Sequence, residues 1–333
     1  VTIRNAVKAE LIVTQCSAMK IMDKSGAIDL DIPYSPRRHE TNSSPINAVA
    51  EMRMPEISIG MPVYNGGQHL RSAIDLILKQ SFSDFELIIS DNASTDETEQ
   101  TCQEFASRDS RVKYFRQTEN IGVANNFRFV FEQATAPLFK WTAHDDWIDV
   151  DWLSVLVPVA KAQHAIVFGH LQMVTHDGQN LAHQANGREM QYEGPAWWRR
   201  LAYAIEPANL GKANIIYGIF PRDAITQESL RIFSAYGAPG DVMMLTECVG
   251  RLPIVFGGPS RLFKRSAPPR PPGAVKERRA SIFERTMLRE FLSLGPVSFR
   301  IGYLLLYPLA MGRMKYGRKL RRLRARLTGR SFT

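Results

Sequence analysis

Residues 56–67 read Glu56-Ile-Ser-Ile-Gly-Met-Pro-Val-Tyr-Asn-Gly-Gly67, a short apolar run that ends in a Pro/Asn/Gly turn. The run from Glu56 to Met61 is long enough for one strand, and the turn residues favour a sharp exit. Leu70, Ala73, Ile74, Ile77 and Leu78 follow at helical spacing. A second apolar run, Phe85–Ser90, ends at Asp91, and a helical stretch begins at Thr95 and reaches Phe105. The alternation continues with a strand at Val112–Phe115 and a helix at Val123–Ala134. A strand at Leu138–Thr142, a helix at Val150–Ala162 and a strand at Ala165–Phe168 complete it. Strands alternating with helices of about 12 residues predict βαβ units, hence an α/β chain with a mostly parallel, Rossmann-like sheet flanked by helices. In such sheets ligands bind beyond the carboxyl ends of the strands. Pro62–Gly67, Asp91–Asp96 and His144–Asp146 all fall at those ends, which predicts one shared site.

The second half is less regular. Helices are expected at Pro195–Ile205 and Asp241–Val249, a strand at Ile215–Phe220 and extended chain at Pro253–Lys264. Ser266–Gly273 contains four prolines and reads as a linker, with helical patterns after it. The expected organisation is an extension of poor order at 1–54, one half at 55–170, a second at 171–265, and a linker with a helical, basic C-terminal region at 266–333.

Composition narrows the class. The 333 residues are 44% hydrophobic and carry a net charge of +9, so the chain can bury a sizeable core. Residues 291–333 hold ten Lys/Arg and no acid, whereas residues 1–260 carry −7. The basic character thus belongs to one end, and nucleic acid is not an expected partner. Cys16, Cys102 and Cys248 are far apart, which suits a reducing cytosol better than a disulfide framework or a zinc site. No leader pattern precedes the first strand, and the longest uncharged apolar stretch, Ile301–Gly312, is twelve residues against the roughly 20 of a spanning helix. Leu320, Leu323 and Leu327 lie among basic residues at helical spacing. An anionic membrane surface met through residues 297–330 is therefore one expected partner, with a solvated tail and nucleic-acid binding as rivals.

Each polar cluster has a chemical and a bland reading. The Pro62–Gly67 turn can aim backbone N–H groups at a ligand, or simply join strand to helix; it lacks the order of a Walker loop. Asp91 can accept from a ribose or base, while Asp96 and Glu97 suit a helix N-terminus. Adjacent Asp145 and Asp146 repel each other unless a cation or donors compensate them, which suits a hard divalent ion beside phosphate oxygens. Asp149 and Asp151 are assigned to capping the next helix, and His144 has no clear role.

Taken in order, Ile57–Asn65, Phe85–Asp96, Asn120-Ile-Gly122-Val-Ala-Asn-Asn126 and His144-Asp-Asp146 resemble the nucleotide-sugar half of a family 2 glycosyltransferase, an inverting enzyme of GT-A fold. The resemblance covers about 55–170 and implies specific roles. Pro62, Tyr64 and Asn65 would frame the nucleotide, with Tyr64 near the base, and Asp91 would bond a uracil or other base. Asn120 and Gly122 would border nucleotide and sugar. Asp145 would contact ribose or donor sugar, and Asp146 would ligate Mg²⁺ or Mn²⁺. His144 departs from the expected acidic triplet. Gly240–Glu247 is similar to the family's acceptor-side element, making Asp241 the expected general base and Glu247 the runner-up. Asn214–Gly218 resembles an acceptor-lining strand, and Trp197 and Trp198 could stack on sugar or belong to the core.

The implied activity is transfer from a nucleotide sugar, UDP by default, to a glycan or lipid-linked acceptor in surface polysaccharide synthesis. The implied place is cytoplasmic or peripheral at the inner face of the cell membrane. A nucleotidyltransferase making sugar nucleotides, or a non-catalytic adaptor using the basic tail, are the alternatives.

Overall fold

The computed structural model describes residues 54–236, 240–266, 297 and 299–306. The expectations for residues 1–53, the Pro-rich linker and the basic tail after 306 lie outside them. In chain order the elements are β1 (Ile57–Val63), α1 (Gly67–Leu78), β2 (Phe85–Asp91), α2 (Thr98–Arg108), β3 (Val112–Arg116), α3 (Val123–Glu132), β4 (Leu138–Trp141), β5 (Trp147–Ile148), α4 (Trp152–Gln163) and β6 (Ile166–Val174). There follow α5 (Ala196–Ile205), a 3₁₀ turn at Lys212–Tyr217, β7 (Phe220–Pro221), α6 (Gln227–Tyr236), α7 (Gly240–Arg251) and β8 (Ile254–Arg265).

Every residue of β1 and β2 is buried. Strands without a solvated face belong in a sheet covered on both sides. The main sheet has the order β3-β2-β1-β4-β7, parallel from β3 to β4, with β7 antiparallel at the edge. The chain moves outward from β1 to β3 and then crosses back to β4, so the loops after β1 and β4 part at the switch point where such sheets bind ligands. A smaller sheet, β5-β8-β6, supports the second half and is continuous with the first through the bridge between Val167 and Ile219.

Close packing at the switch point depends on Gly60 and Asn126. A Cβ on Gly60 would lie 2.7 Å from a Val130 methyl and 2.8 Å from the Phe139 ring, so the glycine lets α3 seat directly on β1. Asn126, 2% exposed on α3, donates from Nδ2 to the Ser90 carbonyl and accepts from Ser90 Oγ, which ties α3 to the end of β2. Trp141 caps this layer against Phe127, Phe131, Phe139 and Phe220.

Three local expectations change. Ile215–Phe220 is no strand: residues 212–217 form a 3₁₀ turn and only Phe220–Pro221 pair with β4. Ile215 and Ile216 are both buried there, and a short apolar run does not by itself separate a buried turn from a strand. The helix after β2 starts at Thr98 rather than Thr95, because residues 94–96 are used to hold the preceding turn. Helix α6 was not anticipated, although Thr226 and Ser229 form a reciprocal cap: each side-chain oxygen accepts the other's N–H.

Gly60→Ala should push α3 off the sheet. We expect a loss of about 1–3 kcal/mol in urea unfolding, with an unchanged slope.

Candidate active site

The first two motifs are locked together. Asn65, in the left-handed region at φ 50°, donates its N–H to Ser94 Oγ at 2.8 Å and accepts Thr95 N–H on Oδ1 at 2.9 Å. The N–H groups of Gly66 and Gly67 go to Thr98 Oγ1 and Asp96 Oδ2, at 2.8 and 3.0 Å. Three consecutive amides of the turn are therefore satisfied inside the protein. The turn is a rigid frame rather than an open phosphate cradle, in line with the plainer of its two readings, a junction of strand and helix. Asp96 is also not only a helix-end charge, since it holds Gly67 as well as Thr98. Pro62 is buried in β1, and Tyr64 stands 45% exposed at the mouth of the frame.

Asp91 is fully buried at the end of β2. Its Oδ1 accepts Ser94 N–H, and its Oδ2 accepts the Tyr114 hydroxyl at 3.0 Å and Arg116 Nη1 at 2.6 Å. Tyr114 and Arg116, on β3, cover this carboxylate; neither stood out in the sequence. Next to it, Asn92 and Asn120 bond each other at 2.9 Å, Asn92 Oδ1 accepts Ile121 N–H, and Asn120 Oδ1 accepts Gly122 N–H. Gly122, at φ 83°, then starts α3. The first three donor-side segments thus form one bonded rim around the C-terminal ends of β1 and β2.

The acidic pair after β4 divides its labour. The Asp146 side chain is 1% exposed; its Oδ2 accepts Lys264 Nζ at 2.6 Å and its Oδ1 accepts Arg265 N–H at 2.9 Å. With both oxygens bound and the group sealed, Asp146 does not present itself to a cation. Asp146, the expected metal ligand, is thus held by Lys264 and Arg265, and Asp145 is the more accessible of the two carboxylates. Asp145 is half-buried, and its carboxylate makes no hydrogen bond among the described residues; only its backbone carbonyl is held, by Arg265 Nε. His69 on α1, His144, His176 and Arg265 share its electrostatic neighbourhood. Burial lowers the pKa of His69, and Arg265 and His176 push the same way. His69 and His176 meet edge to face at 5.8 Å. Arg265 also donates to the His176 carbonyl and stacks over Trp147 at 5.1 Å.

Neither of the other two acids of this loop bonds an α4 amide through its side chain, although Asp151 stands at the N-cap position. Asp149 pairs with Arg261 at 2.9 Å, and Asp151 accepts Ser260 Oγ at 2.9 Å. Both anchor the loop to β8, the strand that supplies Lys264 and Arg265.

Lys264 joins the two halves. Burial works against its charge, but Tyr217, Asp146 and Asp145 raise its pKa above the usual range. The ammonium sits 4.8 Å from the Tyr217 ring centre. It also acts on Asp241, at the start of α7. Asp241 is partly buried and its Oδ1 accepts the N–H of Val242 at 2.6 Å. Burial raises its pKa, with Lys264 and Lys212 pulling the other way. Glu247 is committed to Arg200 at 2.7 Å and so is the weaker candidate base. Lys140 lies fully buried behind the site, bonded to the carbonyls of Trp141 and Tyr217, and burial pushes it down to about 7. Trp197 and Trp198 are 39% and 45% exposed, on α5 rather than in the core.

A divalent cation fits only in part. Among the described residues no group of three or more His, Cys, Asp or Glu could hold a metal alone. A free carboxylate at Asp145 suits Mg²⁺ or Mn²⁺ whose remaining ligands are phosphate oxygens and water.

Removing the Lys264 charge leaves a buried carboxylate unpaired. Lys264→Met should cost about 3 kcal/mol or more near neutral pH. Without its cation Asp146 holds its proton more tightly folded than unfolded. The deficit against wild type should therefore shrink as pH falls through that raised folded pKa toward the unfolded one, as denaturant melts across pH would show.

Residues 58–221 match the sequence profile of Glycosyl transferase family 2. The chain is 32% identical over 139 residues, 41% of its length, to the GalNAc(5)-diNAcBac-PP-undecaprenol beta-1,3-glucosyltransferase of Campylobacter jejuni, and covers 44% of that protein. It is 30% identical over 101 residues to glycosyltransferase GlyA of Streptococcus pneumoniae, covering 30% of this chain and 14% of that one. The chain thus spans less than half the length of these curated relatives. Its fold is similar to S. aureus TarS 1-349 solved with UDP, at TM-score 0.56 and 15% identity over 78% of this chain and 71% of the other. TarS solved with UDP-GlcNAc matches at TM-score 0.53 and 16% identity, over 72% and 68% of the two chains. Residues 58–221 thus form a glycosyltransferase family 2 region, and with its parallel sheet the chain has the GT-A fold.

Proposed function

We propose that the chain transfers a sugar from a nucleoside diphosphate sugar to a hydroxyl of a lipid-linked or glycan acceptor, with inversion at the anomeric carbon. The observation that carries this reading is the bonded rim of Asn65, Asp91–Asp96 and Asn120–Gly122 at the strand ends, together with an Asp145 carboxylate after the neighbouring β4 that makes no hydrogen bond among the described residues. UDP is the favoured nucleotide, because the TarS structures of like fold hold UDP and UDP-GlcNAc. A polyprenyl-linked acceptor is favoured because the Campylobacter relative is named for one. Such an acceptor is borne by a membrane; among the described residues no helix is long and apolar enough to cross one.

In this reading Tyr64 and the bonded rim from Asp91 to Gly122 frame the nucleotide. A divalent cation, held by Asp145 and the diphosphate oxygens, would neutralise the leaving group's charge. Asp241 accepts the proton of the acceptor hydroxyl as that oxygen forms its bond to the anomeric carbon and the carbon–diphosphate bond breaks. Arg265 fixes the Asp145 backbone and His176, keeping the loop after β4 in place. The nucleotidyltransferase alternative requires a glycine-rich loop with free N–H groups for a triphosphate; the amides of 65–67 are already occupied.

Release of nucleoside diphosphate from a panel of nucleotide sugars, with and without Mn²⁺, tests the reading. Asp145→Asn should lower turnover by about a hundredfold or more and weaken Mn²⁺-dependent UDP binding. Asp241→Asn should lower turnover while leaving UDP binding unchanged. Because the base must be ionised, kcat/KM should fall as pH drops through the raised Asp241 pKa, and that acidic limb should vanish in Asp241→Asn. Normal turnover in either variant would remove that residue from its role.

A further inference from the structure

The helix at 299–306 has two faces of different character. Phe299 and Tyr303 are buried and stack at 5.9 Å. A Cβ on Gly302 would lie 2.7 Å from Leu201 of α5, so this face is seated on the body. The opposite face carries Val297, Ile301, Leu304 and Leu305, exposed by 67, 54, 53 and 68%. These follow the spacing i, i+4, i+7, i+8, a single stripe of an amphipathic helix, here turned outward. Trp197 and Trp198, also exposed, occupy the first turn of α5; Trp197 lies one turn before Leu201. Folding has left four aliphatic side chains of this helix in water, and two indoles on the helix it packs against. Contiguous apolar exposure of this kind marks an interaction surface.

The charge of this end of the sequence selects the occupant. Residues 291–333, which include the helix, hold ten Lys/Arg and no Asp or Glu. A second copy of the chain would bring the same basic sequence against itself. Nucleic acid would match the charge but give the aliphatic side chains and indoles nothing to bury into. An anionic bilayer matches both: phosphate headgroups take the basic residues, the acyl boundary takes the stripe, and tryptophan favours the interface between them. We propose that the outward stripe of Val297, Ile301, Leu304 and Leu305 docks on the anionic surface of a lipid bilayer, with the exposed Trp197 and Trp198 of α5 as further interfacial residues. This deepens the reading of a membrane-borne acceptor by naming the surface that meets the membrane; its test does not use the reaction.

The test is sedimentation of the full chain with vesicles of phosphatidylcholine alone, or with about a third phosphatidylglycerol. Wild type should bind the anionic vesicles, bind neutral ones poorly and weaken in high salt. A variant with Leu304→Glu and Leu305→Glu should bind anionic vesicles about tenfold less, because the stripe no longer enters the interface. Donor hydrolysis in solution, measured without vesicles, should be equal in the two proteins; it reports separately on the catalytic reading and on folding. Three outcomes would overturn the proposal: no binding of wild type to anionic vesicles, undiminished binding by the variant, or a wild-type dimer in ultracentrifugation that the two substitutions dissociate. The second would leave the basic residues as the sole anchor, and the third would make the stripe a contact between copies.

Discussion

The ion pair between Asp146 and Lys264, 2.6 Å long with its carboxylate sealed from water, organises the site. A buried pair of this kind contributes little net stability, since desolvation of both charges offsets their attraction, but losing one partner is costly. Its effect is positional. Asp146 follows β4 of the main sheet, and Lys264 ends β8 of the smaller one, 118 residues later. Arg265 N–H closes the second oxygen of the same carboxylate. Asp149 and Asp151, bonded to Arg261 and Ser260, repeat the attachment further along. The loop after β4 is thus fastened along one strand, and the Asp145 carboxylate takes no part in these bonds.

The donor side shows the same economy. Ser94, Asp96 and Thr98 spend their oxygens on the three amides of the turn after β1, and Asn65 returns a bond to Thr95. The second motif therefore exists to shape the first. Rigid framing of this sort suits a site that must hold a flexible diphosphate, because groups already fixed lose little entropy when the ligand arrives.

Much of the sheet was legible because its strands are short apolar runs with turn residues at their ends, and α1 and α3 show their buried stripes plainly. Local pattern failed where burial and not periodicity defined the element, as at Ile215 and Ile216. It failed at α6 because a serine replaces the acid or amide of the familiar capping box. The candidate site was legible as a set of motifs, but not in the division between Asp145 and Asp146. Two adjacent carboxylates look alike in sequence; the partners that distinguish them, Lys264 and Arg265, come from a remote strand with no local mark. His69 and His176 were invisible for the same reason, since each is an isolated histidine until the fold brings them to 5.8 Å.

The central claim is that Asp145 meets the donor while Asp146 remains bound to Lys264. A crystal structure of the full chain with UDP and Mn²⁺ tests it most directly. The account predicts Mn²⁺ at about 2.1 Å from an Asp145 oxygen, its other ligands supplied by phosphate and water, with the Lys264–Asp146 pair intact. Mn²⁺ bound to Asp146, with Lys264 displaced from it, would contradict the account.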